Sequence, residues 1–373
     1  MTAAAPSQPA PQRPLGVALV GLGFGEKVHL PALRDCPLTE AVALWHHRPE
    51  RLQQACTASG LPGFERYDAL LDDPRVQALV IATPPEPRFA LAQAAIAAGK
   101  HLLLEKPVAL EASQIEELQR QALAAGVTVA VDFEYRAVPA FQQLAALLRQ
   151  GAVGDPWLVK LDWLMGSRAD ASRPWNWYSQ RAAGGGVLGS LGTHAFDTLH
   201  WLVGPTRAVS ALRSTAIAER PLADGSGRMG AVDAEDIALL QLELDTGASV
   251  RVPAQVSLAA VTRPGRGYWI EVYGSEGSLV LGSPNQADYV HGFQLWRSRG
   301  GGERLELAPD PALAFASTWP DGRVAPVRRL IQWWAEAALE RRPMVPGLGE
   351  AVLSQRVCDR ALQAADSGLR QPL

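Results

Sequence analysis

The sequence predicts an α/β fold in two parts, a doubly wound parallel sheet followed by a domain built on a mainly antiparallel sheet. Short apolar runs alternate with helix-like segments across residues 14–132, which is typical of βαβ units and a parallel sheet. A glycine-rich turn follows the first apolar run, and after residue 132 the pattern changes to strand-like segments separated by turn signals. We therefore expect domains at 14–132 and 133–373, with the last helices packing back on the first domain.

Five strands and the helices between them are predicted in the first domain. The strands are apolar runs at residues 17–20, 41–44, 78–82, 101–104 and 127–131, and such runs suit strands that are covered on both faces. An alanine-rich helix at 89–98 ends at Gly99, and another opens with a capping box at Ser113 and Glu116 and ends at Gly126. These elements alternate as the parallel sheet requires.

The second domain is predicted from shorter and more varied segments. Helices are expected at 140–150, 194–202, 327–340 and 348–367. Strands are expected at 157–165, 238–244, 248–252 and 269–273. Residues 218–231 are rich in glycine, proline and aspartate, and we expect a loop there.

Composition excludes several classes of protein. Hydrophobic residues make up 47% of the 373 residues and charged residues 20%, with a formal net charge of −3 and no basic block. We therefore expect neither a nucleic-acid partner nor a membrane partner. The three cysteines show no CxxC spacing, and no metal site is predicted. Residues 1–13 are a lead-in rich in alanine, proline and glutamine without the apolar core of a signal peptide, so we expect disorder there and a cytoplasmic protein.

The glycine-rich turn runs from Gly21 through Gly23 and Phe24 to Gly25, between an apolar strand and a helix. Gly21 permits a tight turn, Gly23 lets the backbone approach a pyrophosphate, and the helix N-terminus favours the phosphates. In this context the turn indicates dinucleotide binding rather than a merely structural βα turn. The third glycine of the motif would fall at Glu26, so we expect either an offset turn or a larger side chain between helix and strand.

The end of the second strand predicts which dinucleotide is preferred. An acidic residue is expected there to hold the ribose hydroxyls of NAD, but this chain has His47 and Arg48. A cation at this position would instead accept a 2′-phosphate, so we expect NADP(H) to be preferred, with NAD(H) as the alternative. The simpler interpretation is that these residues are solvated loop residues.

Two further segments carry residues suited to proton chemistry. Lys106 follows the strand at 101–104, in an X–Pro bond that is a candidate for the cis form, and a lysine at this edge could donate to a substrate oxygen. By spacing alone, an exposed lysine at a strand end is the simpler interpretation. His194 follows three consecutive glycines at 184–186, with Asp197 three residues later. A neutral imidazole is a natural general base for the oxidation of an alcohol, whereas the plain alternative is a histidine at a helix start.

Four segments together resemble one family. They read GLGFGEKVH, ATPPEPRF, EKPVAL and GGGVLGSLGTHAFDTLHWLVG, and in this order and spacing they are similar to the Gfo/Idh/MocA oxidoreductases. The resemblance implies a Rossmann domain, then an α+β domain with a large, mostly antiparallel sheet through which members form homodimers or homotetramers. It implies NAD(P)-dependent hydride transfer to or from a small-molecule substrate. It also implies that Lys106 and His194 are catalytic and that the cofactor groove includes Thr83, Pro84, Pro85 and Glu105.

At one position this chain differs from the family that it resembles. The dehydrogenases of the family carry a catalytic aspartate four residues before the histidine, and this chain has Ser190 there. Aromatic and polar residues near the triple glycine suit a sugar or polyol. The candidates for the substrate side are Tyr135, Arg168, Trp175, Asn176, Tyr178, Ser190 and Asp197. We expect an NAD(P)-dependent oxidoreductase acting on a sugar, polyol or related cyclic compound, and the alternative is a dinucleotide-binding sensor with weakened catalysis.

Overall fold

The computed structural model describes residues 13–285 and 292–373. The lead-in predicted at residues 1–13 therefore falls, except for its last residue, outside the described part of the chain. None of the helices in the described ranges combines the length and the apolar character that a bilayer crossing needs.

The first domain contains a six-stranded, fully parallel sheet. Its strands are β1 (Leu15–Val20), β2 (Thr39–Trp45), β3 (Gly63–Phe64), β4 (Ala78–Ile81), β5 (His101–Leu104) and β6 (Val129–Val131). They lie in the order β3-β2-β1-β4-β5-β6, which is the doubly wound order with its switch point between β1 and β4. Every residue of β1 and β4 is buried, as their unbroken apolar sequences predict for a sheet covered on both faces.

Helices cover both faces of this sheet. Those of the first domain are α1 (Leu30–Asp35), α2 (Pro49–Ser59), α3 (Tyr67–Asp72), α4 (Pro85–Ala97) and α5 (Ala112–Ala125). The capping box predicted for α5 is wrong, because the helix already begins at Ala112 and the Ser113 hydroxyl donates to the Glu111 carboxylate at 3.3 Å. The predicted ends hold, since Gly99 and Gly126 both have the positive φ that glycine adopts easily.

The second domain surrounds a nine-stranded sheet. Its strands are β7 (Pro156–Leu164), β8 (Thr206–Ser214), β11 (Ile237–Leu244), β12 (Val252–Ala259), β13 (Gly267–Gly274), β14 (Gly277–Ser283), β15 (Gln294–Arg299), β16 (Leu305–Leu307) and β17 (Gln371–Pro372). The order is β16-β15-β14-β13-β7-β12-β11-β8-β17, and β7 with β12 is the single parallel pair. The sheet is therefore mostly antiparallel, as predicted.

Four helices complete the second part of the chain, namely α6 (Pro139–Arg149), α7 (Thr193–Leu202), α8 (Val324–Leu339) and α9 (Leu348–Ser367). Helix α8 lies on the parallel sheet, where the fully buried Trp334 joins the apolar cluster of Val17 and Leu19. Helix α9 joins the two domains, because Val352 packs with the first and Val357 with the second. The last helices thus pack back on the first domain, which burial of their apolar faces stabilises.

Two predictions for the second domain need correction. The loop expected at 218–231 forms a small antiparallel pair, β9 (Glu219–Pro221) with β10 (Met229–Ala231). The strand expected at 248–252 instead begins at Val252 and continues to Ala259. The reason is the turn at Gly247, whose φ of 81° and hydrogen bond to the Asp245 carboxylate extend the turn, so that inward-facing alternation starts only at Val252.

Candidate active site

The glycine turn follows β1 and contacts the end of β4. A Cβ atom on Gly21, whose φ is 95°, would lie 2.8 Å from the carbonyl carbon of Ala82. A Cβ on Gly25 would lie 2.9 Å from the Leu19 Cδ1, whereas one on Gly23 would meet no atom within 4 Å. Gly21 and Gly25 are therefore required by packing, and Gly23 leaves open space that fits a ligand at the helix start.

The turn is offset, and Gly25 takes the packing role that the motif gives to its third glycine. Glu26 lies on the outer side of the short π-helical turn Gly25–His29 and forms an ion pair with Arg51. Arg51 also donates to the Leu22 carbonyl at 3.2 Å. The first amide groups of a helix lack intrahelical partners, so they are available to a phosphate beside Gly23. Phe24 borders this turn, with its ring centroid 5.4 Å from that of His29.

The end of β2 lies beside this turn, since the Gly21 amide donates to the Trp45 carbonyl at 3.1 Å. His47 and Arg48 are exposed there, and the His47 ring stacks on His46 with centroids 4.4 Å apart. Burial lowers the pKa of His46, and the nearby His47, Arg48 and Arg51 lower it further. The edge therefore carries exposed cationic groups without a carboxylate directly on the strand end.

A buried arginine that the sequence analysis missed joins the loops at the carboxyl edge. The Arg88 guanidinium donates to the Glu105 carbonyl at 2.6 Å and also to the carbonyls of Thr83 and Pro107. Burial lowers the pKa of Arg88 to about 10. Its position in the first turn of α4, three residues after the Pro84–Pro85 pair, was the available signal. Arg88 fixes the Thr83 loop against the Glu105–Pro107 loop, so both face the same crevice.

Lys106 bridges the two domains. Its Nζ donates to the Ser190 carbonyl at 3.1 Å, and the Lys106–Pro107 peptide bond is cis. The side chain is half-buried, so the interpretation as an exposed lysine at a strand end is wrong. The triple glycine packs against the loop before α4, because a Cβ on Gly184 would approach Pro85 Cγ to 2.8 Å. The loop that carries Thr83, Pro84 and Pro85 therefore meets the glycine segment of the second domain.

Three buried ionisable groups lie behind Lys106. The His29 Nε2 is 2.8 Å from Glu105 Oε1 and 3.4 Å from Asp132 Oδ2. Burial raises the pKa of Glu105, but the His29 hydrogen bond and the charges of His29, Lys106 and Arg88 outweigh it and hold the pKa at about 2. Burial and the neighbouring carboxylates raise the pKa of Asp132 well above its usual value.

These three groups are close enough together to be compared with a metal site. Their candidate ligand atoms all lie within 4.8 Å of one another. With no ion present, burial and the neighbouring carboxylates favour the protonated form of Asp132.

His194 lies opposite this cluster, on α7. Its ring is 2% exposed and contacts Phe133, Tyr135 and Trp163, with centroids 5.1 to 6.0 Å away. Burial and the Lys106 charge lower the pKa of His194 well below its usual value, so the imidazole is neutral near pH 7. His194 is not at a helix start, because the π-helical turn Leu188–Gly192 leads directly into α7.

The π-helical turn depends on Glu235, a second residue that the sequence analysis missed. The Leu188 amide donates to Glu235 Oε1 at 2.9 Å, and the Val187 amide donates to the Glu235 carbonyl at 2.9 Å. A Cβ on Gly186 would lie 2.2 Å from the same carboxylate oxygen, so this glycine makes room for Glu235. The two residues of this contact are 47 positions apart in the sequence, so no local sequence pattern predicts it.

Several residues predicted for the substrate side are placed elsewhere. Asp197 forms a buried two-point ion pair with Arg136, with distances of 2.7 and 2.8 Å, so its oxygens do not face the crevice. Tyr135 is 2% exposed and packs in an aromatic core beside His194. The Ser190 hydroxyl donates to the Gly186 carbonyl at 2.7 Å. Helical and core packing thus determine the positions of these side chains.

The segment before the triple glycine contributes a planar stack. The Arg168 guanidinium lies 3.5 Å from the centre of the Tyr178 ring, and Trp177 stacks on Tyr178 with centroids 3.8 Å apart. The Asn176 side chain accepts from the Tyr178 amide, and Trp175 Nε1 donates to the Ala231 carbonyl at 2.8 Å. Trp175 and Asn176 therefore support the segment, whereas Arg168 and Tyr178 present a polar and aromatic surface next to the glycine loop.

Comparisons with known proteins identify the family of both domains. Residues 15–133 match a family model described as an oxidoreductase family with an NAD-binding Rossmann fold, and residues 145–372 match its C-terminal alpha/beta domain. An uncharacterized oxidoreductase of Synechocystis sp. is 44% identical over 351 residues, 94% of each chain. Levoglucosan dehydrogenase of Pseudarthrobacter phenanthrenivorans is 30% identical, over 72% of this chain and 73% of the relative. A solved levoglucosan dehydrogenase complex with NADH and L-sorbose is 25% identical, with a TM-score of 0.83 over 96% of this chain and 98% of the other.

Proposed function

The chain belongs to the Gfo/Idh/MocA oxidoreductase family, and from that premise we propose that it is a dehydrogenase of a sugar, polyol or related cyclic alcohol that prefers NADP(H). The observation that carries this proposal is the meeting of Lys106 and His194 in one crevice beside the glycine turn. The two residues come from different domains, and the Lys106 charge acts directly on the His194 imidazole. A donor and a neutral base in one cleft suit the removal of a hydroxyl proton.

The cofactor would be held by the carboxyl edge of the parallel sheet. The open space at Gly23 and the helix start suit the pyrophosphate, while Thr83 to Pro85 and Glu105 would line the nicotinamide end. When bound, NAD(P)⁺ supplies the acceptor for a hydride from the substrate carbon. His194 would take the hydroxyl proton, and Lys106 would stabilise the negative charge that develops on the oxygen.

Two arguments support a carbohydrate as the substrate. Relatives of this chain are named levoglucosan dehydrogenase and D-apiose dehydrogenase, and the second, from Paraburkholderia graminis, is 28% identical over 85% of this chain. The stack of Arg168, Tyr178 and Trp177 also combines aromatic rings with a polar guanidinium, a composition that suits a ring with C–H faces and hydroxyls.

One experiment separates the enzyme from the alternative. The protein is incubated with NADP⁺ or NAD⁺ and a panel of sugars, sugar acids and polyols, and absorbance at the nicotinamide band is followed. Turnover of at least one panel member supports the dehydrogenase. Tight cofactor binding without turnover across the panel would favour the sensor, which the replacement of the family's aspartate by Ser190 motivates.

The cofactor preference is tested at Arg48. We expect R48A to raise KM for NADP⁺ by about tenfold while KM for NAD⁺ stays nearly constant, because one charge-assisted contact to a 2′-phosphate contributes about 1.5–3 kcal/mol. Arg66, an exposed arginine paired with Asp68 on the same domain, provides the matched control R66A. An unchanged KM for NADP⁺ in R48A would show that Arg48 does not bind the 2′-phosphate.

We also propose that two or four copies associate through the outer face of the nine-stranded sheet. Leu212 on β8 and Leu239 on β11 are register partners on this face and are 71% and 48% exposed. Apolar side chains paired side by side on a sheet surface favour burial against a second sheet. The double change L212E/L239E should reduce the mass measured by light scattering to that of one chain. L123E, at a leucine 76% exposed on α5, should leave the mass unchanged, and equal masses for all three proteins would contradict the proposal.

A further inference from the structure

His194 contacts no carboxylate on its own helix. Asp197 is held by Arg136, and Ser190 donates its hydroxyl to the Gly186 carbonyl. The nearby carboxylate comes from the other side of the crevice, where Glu134 Oε2 lies 3.3 Å from His194 Nε2. The His194 Nδ1 is buried and has no hydrogen-bond partner among the residues that the structure describes. Glu134 is thus the polar side chain that the fold presents to this imidazole.

We propose that Glu134 is the acid–base partner of His194, in a chain that has Ser190 four residues before the histidine. Glu134 follows β6, in the turn Glu134–Ala137, so the carboxylate comes from the loop that ends the parallel sheet rather than from α7. Both side chains are buried, with 3% of the His194 side chain and 7% of the Glu134 side chain exposed. A buried carboxylate next to an imidazole holds the ring and stabilises the imidazolium that forms.

The charges around Glu134 come from four neighbouring elements. Lys106 and Glu105 approach from the loop after β5, Asp132 from the end of β6, and Arg323 from the segment before α8, while His194 faces it from α7. Burial raises the pKa of Glu134, Lys106 lowers it, and the balance, with Glu105 opposing Lys106, leaves the pKa at about 7. Because the pKa of His194 lies well below its usual value, Glu134 is the member of the pair that changes charge near neutral pH.

This pairing gives the proton of the substrate hydroxyl a route through His194 and Glu134. The inference rests on the proposed dehydrogenase function. The hydroxyl O–H bond of the substrate breaks, and its proton goes to the Nδ1 of His194, because Nε2 faces Glu134. The carbon gives up its hydrogen as a hydride with two electrons to NAD(P)⁺, so the alcohol becomes a carbonyl. Glu134 Oε2 accepts the Nε2 proton of the imidazolium. The pair returns to its starting state when Nδ1 releases its proton to solvent and Nε2 takes its proton back from Glu134.

The charge of Glu134 determines how kcat depends on pH. The pair acts as a base only when Glu134 is ionised, so kcat for alcohol oxidation should rise as pH increases through about 7. In E134Q the remaining base is His194 with its lowered pKa, so this rise should vanish from the neutral range. We expect kcat to fall by about 10²-fold, with KM for the cofactor unchanged, because general acid–base partners contribute roughly 10²–10⁴-fold.

Two variants control this experiment. E134D keeps the carboxylate and should retain the rise near neutral pH, with kcat within about tenfold of the wild type. E303Q removes an exposed carboxylate from the second domain and should change neither quantity. Retention of both kcat and the neutral rise in E134Q would overturn the proposal. If E134D loses as much kcat as E134Q, the proposal is also overturned, since the loss would then indicate that Glu134 has a role in packing only.

A second measurement does not depend on turnover. Imidazole ¹⁵N shifts of the free protein are followed against pH, and the His194 signal among the seven histidines is assigned with H194N. We expect a step near pH 7 at His194 Nε2 that is absent in E134Q, with both proteins folded by circular dichroism. A missing step in the wild type would overturn the pairing. If the step is present but no substrate is turned over, the proposed function fails while the pairing stands.

Discussion

Replacing Lys106 with methionine is expected to lower kcat by about 10³-fold while the affinity for NADP⁺ changes little. Methionine keeps the apolar stem and removes the charged donor, and loss of one donor to a developing oxyanion costs about 10²–10³-fold. The same change removes the Nζ contact with the Ser190 carbonyl, which adds a loss of alignment between the domains. Steady-state kinetics on the substrate found in the panel, together with cofactor binding by nicotinamide fluorescence, measure both quantities.

Lys100 provides the matched control for this variant. It lies at the other end of β5, where its Nζ donates to the Val76 carbonyl at 2.6 Å. K100M removes the same charge from the same strand and should leave kcat unchanged, because ligands bind at the carboxyl edge of a parallel sheet. Full activity in K106M would contradict the assignment of the oxyanion donor. An equal loss in both variants would indicate damage to β5 instead.

The second large effect is expected for His194. H194N should lower kcat for oxidation by about 10²–10⁴-fold, because asparagine fills much of the same volume and cannot accept a proton. The thermal midpoint should fall by only a few degrees, since the buried ring contacts with Phe133 and Tyr135 are weakened rather than replaced by an open cavity. Kinetics with saturating cofactor and thermal unfolding separate the two effects.

His200 lies on the same helix, is half-buried and is the control for replacing a histidine of α7. Its Nε2 is 2.9 Å from the Thr206 hydroxyl, and burial lowers its pKa to about 4. H200N should cost stability of the same order and leave kcat unchanged, because this ring faces β8 rather than the crevice. Comparable kcat in H194N and the wild type would show that His194 takes no part in the proton transfer.

Much of the first domain could be predicted because its signals are local. The apolar runs of β1 and β4 and the glycines that end α4 and α5 follow from neighbouring residues alone. The sequence showed that the third glycine is displaced to Gly25. It did not show whether Gly25 takes the packing role, since that depends on where the Leu19 and Ala82 side chains lie. The start of β12 was misplaced, and the three-residue strands β9 and β10 were predicted as a loop, because segments with short or weak alternation give little information about strand position.

The sequence by itself determined the fold class, the dinucleotide turn, the position of Lys106 after a strand and the helix that carries His194. These features depend on backbone conformation and on apolar periodicity, which act over a few residues. Only the tertiary structure decided that Glu134 faces His194, that Asp197 belongs to Arg136 and that Arg88 joins two loops. Arg136 and Asp197 are 61 residues apart, and a buried charge takes whichever partner the packed domains bring within a few ångströms. The spacing of two residues along the sequence does not give the distance between them in the fold, so these partners were decided by tertiary packing.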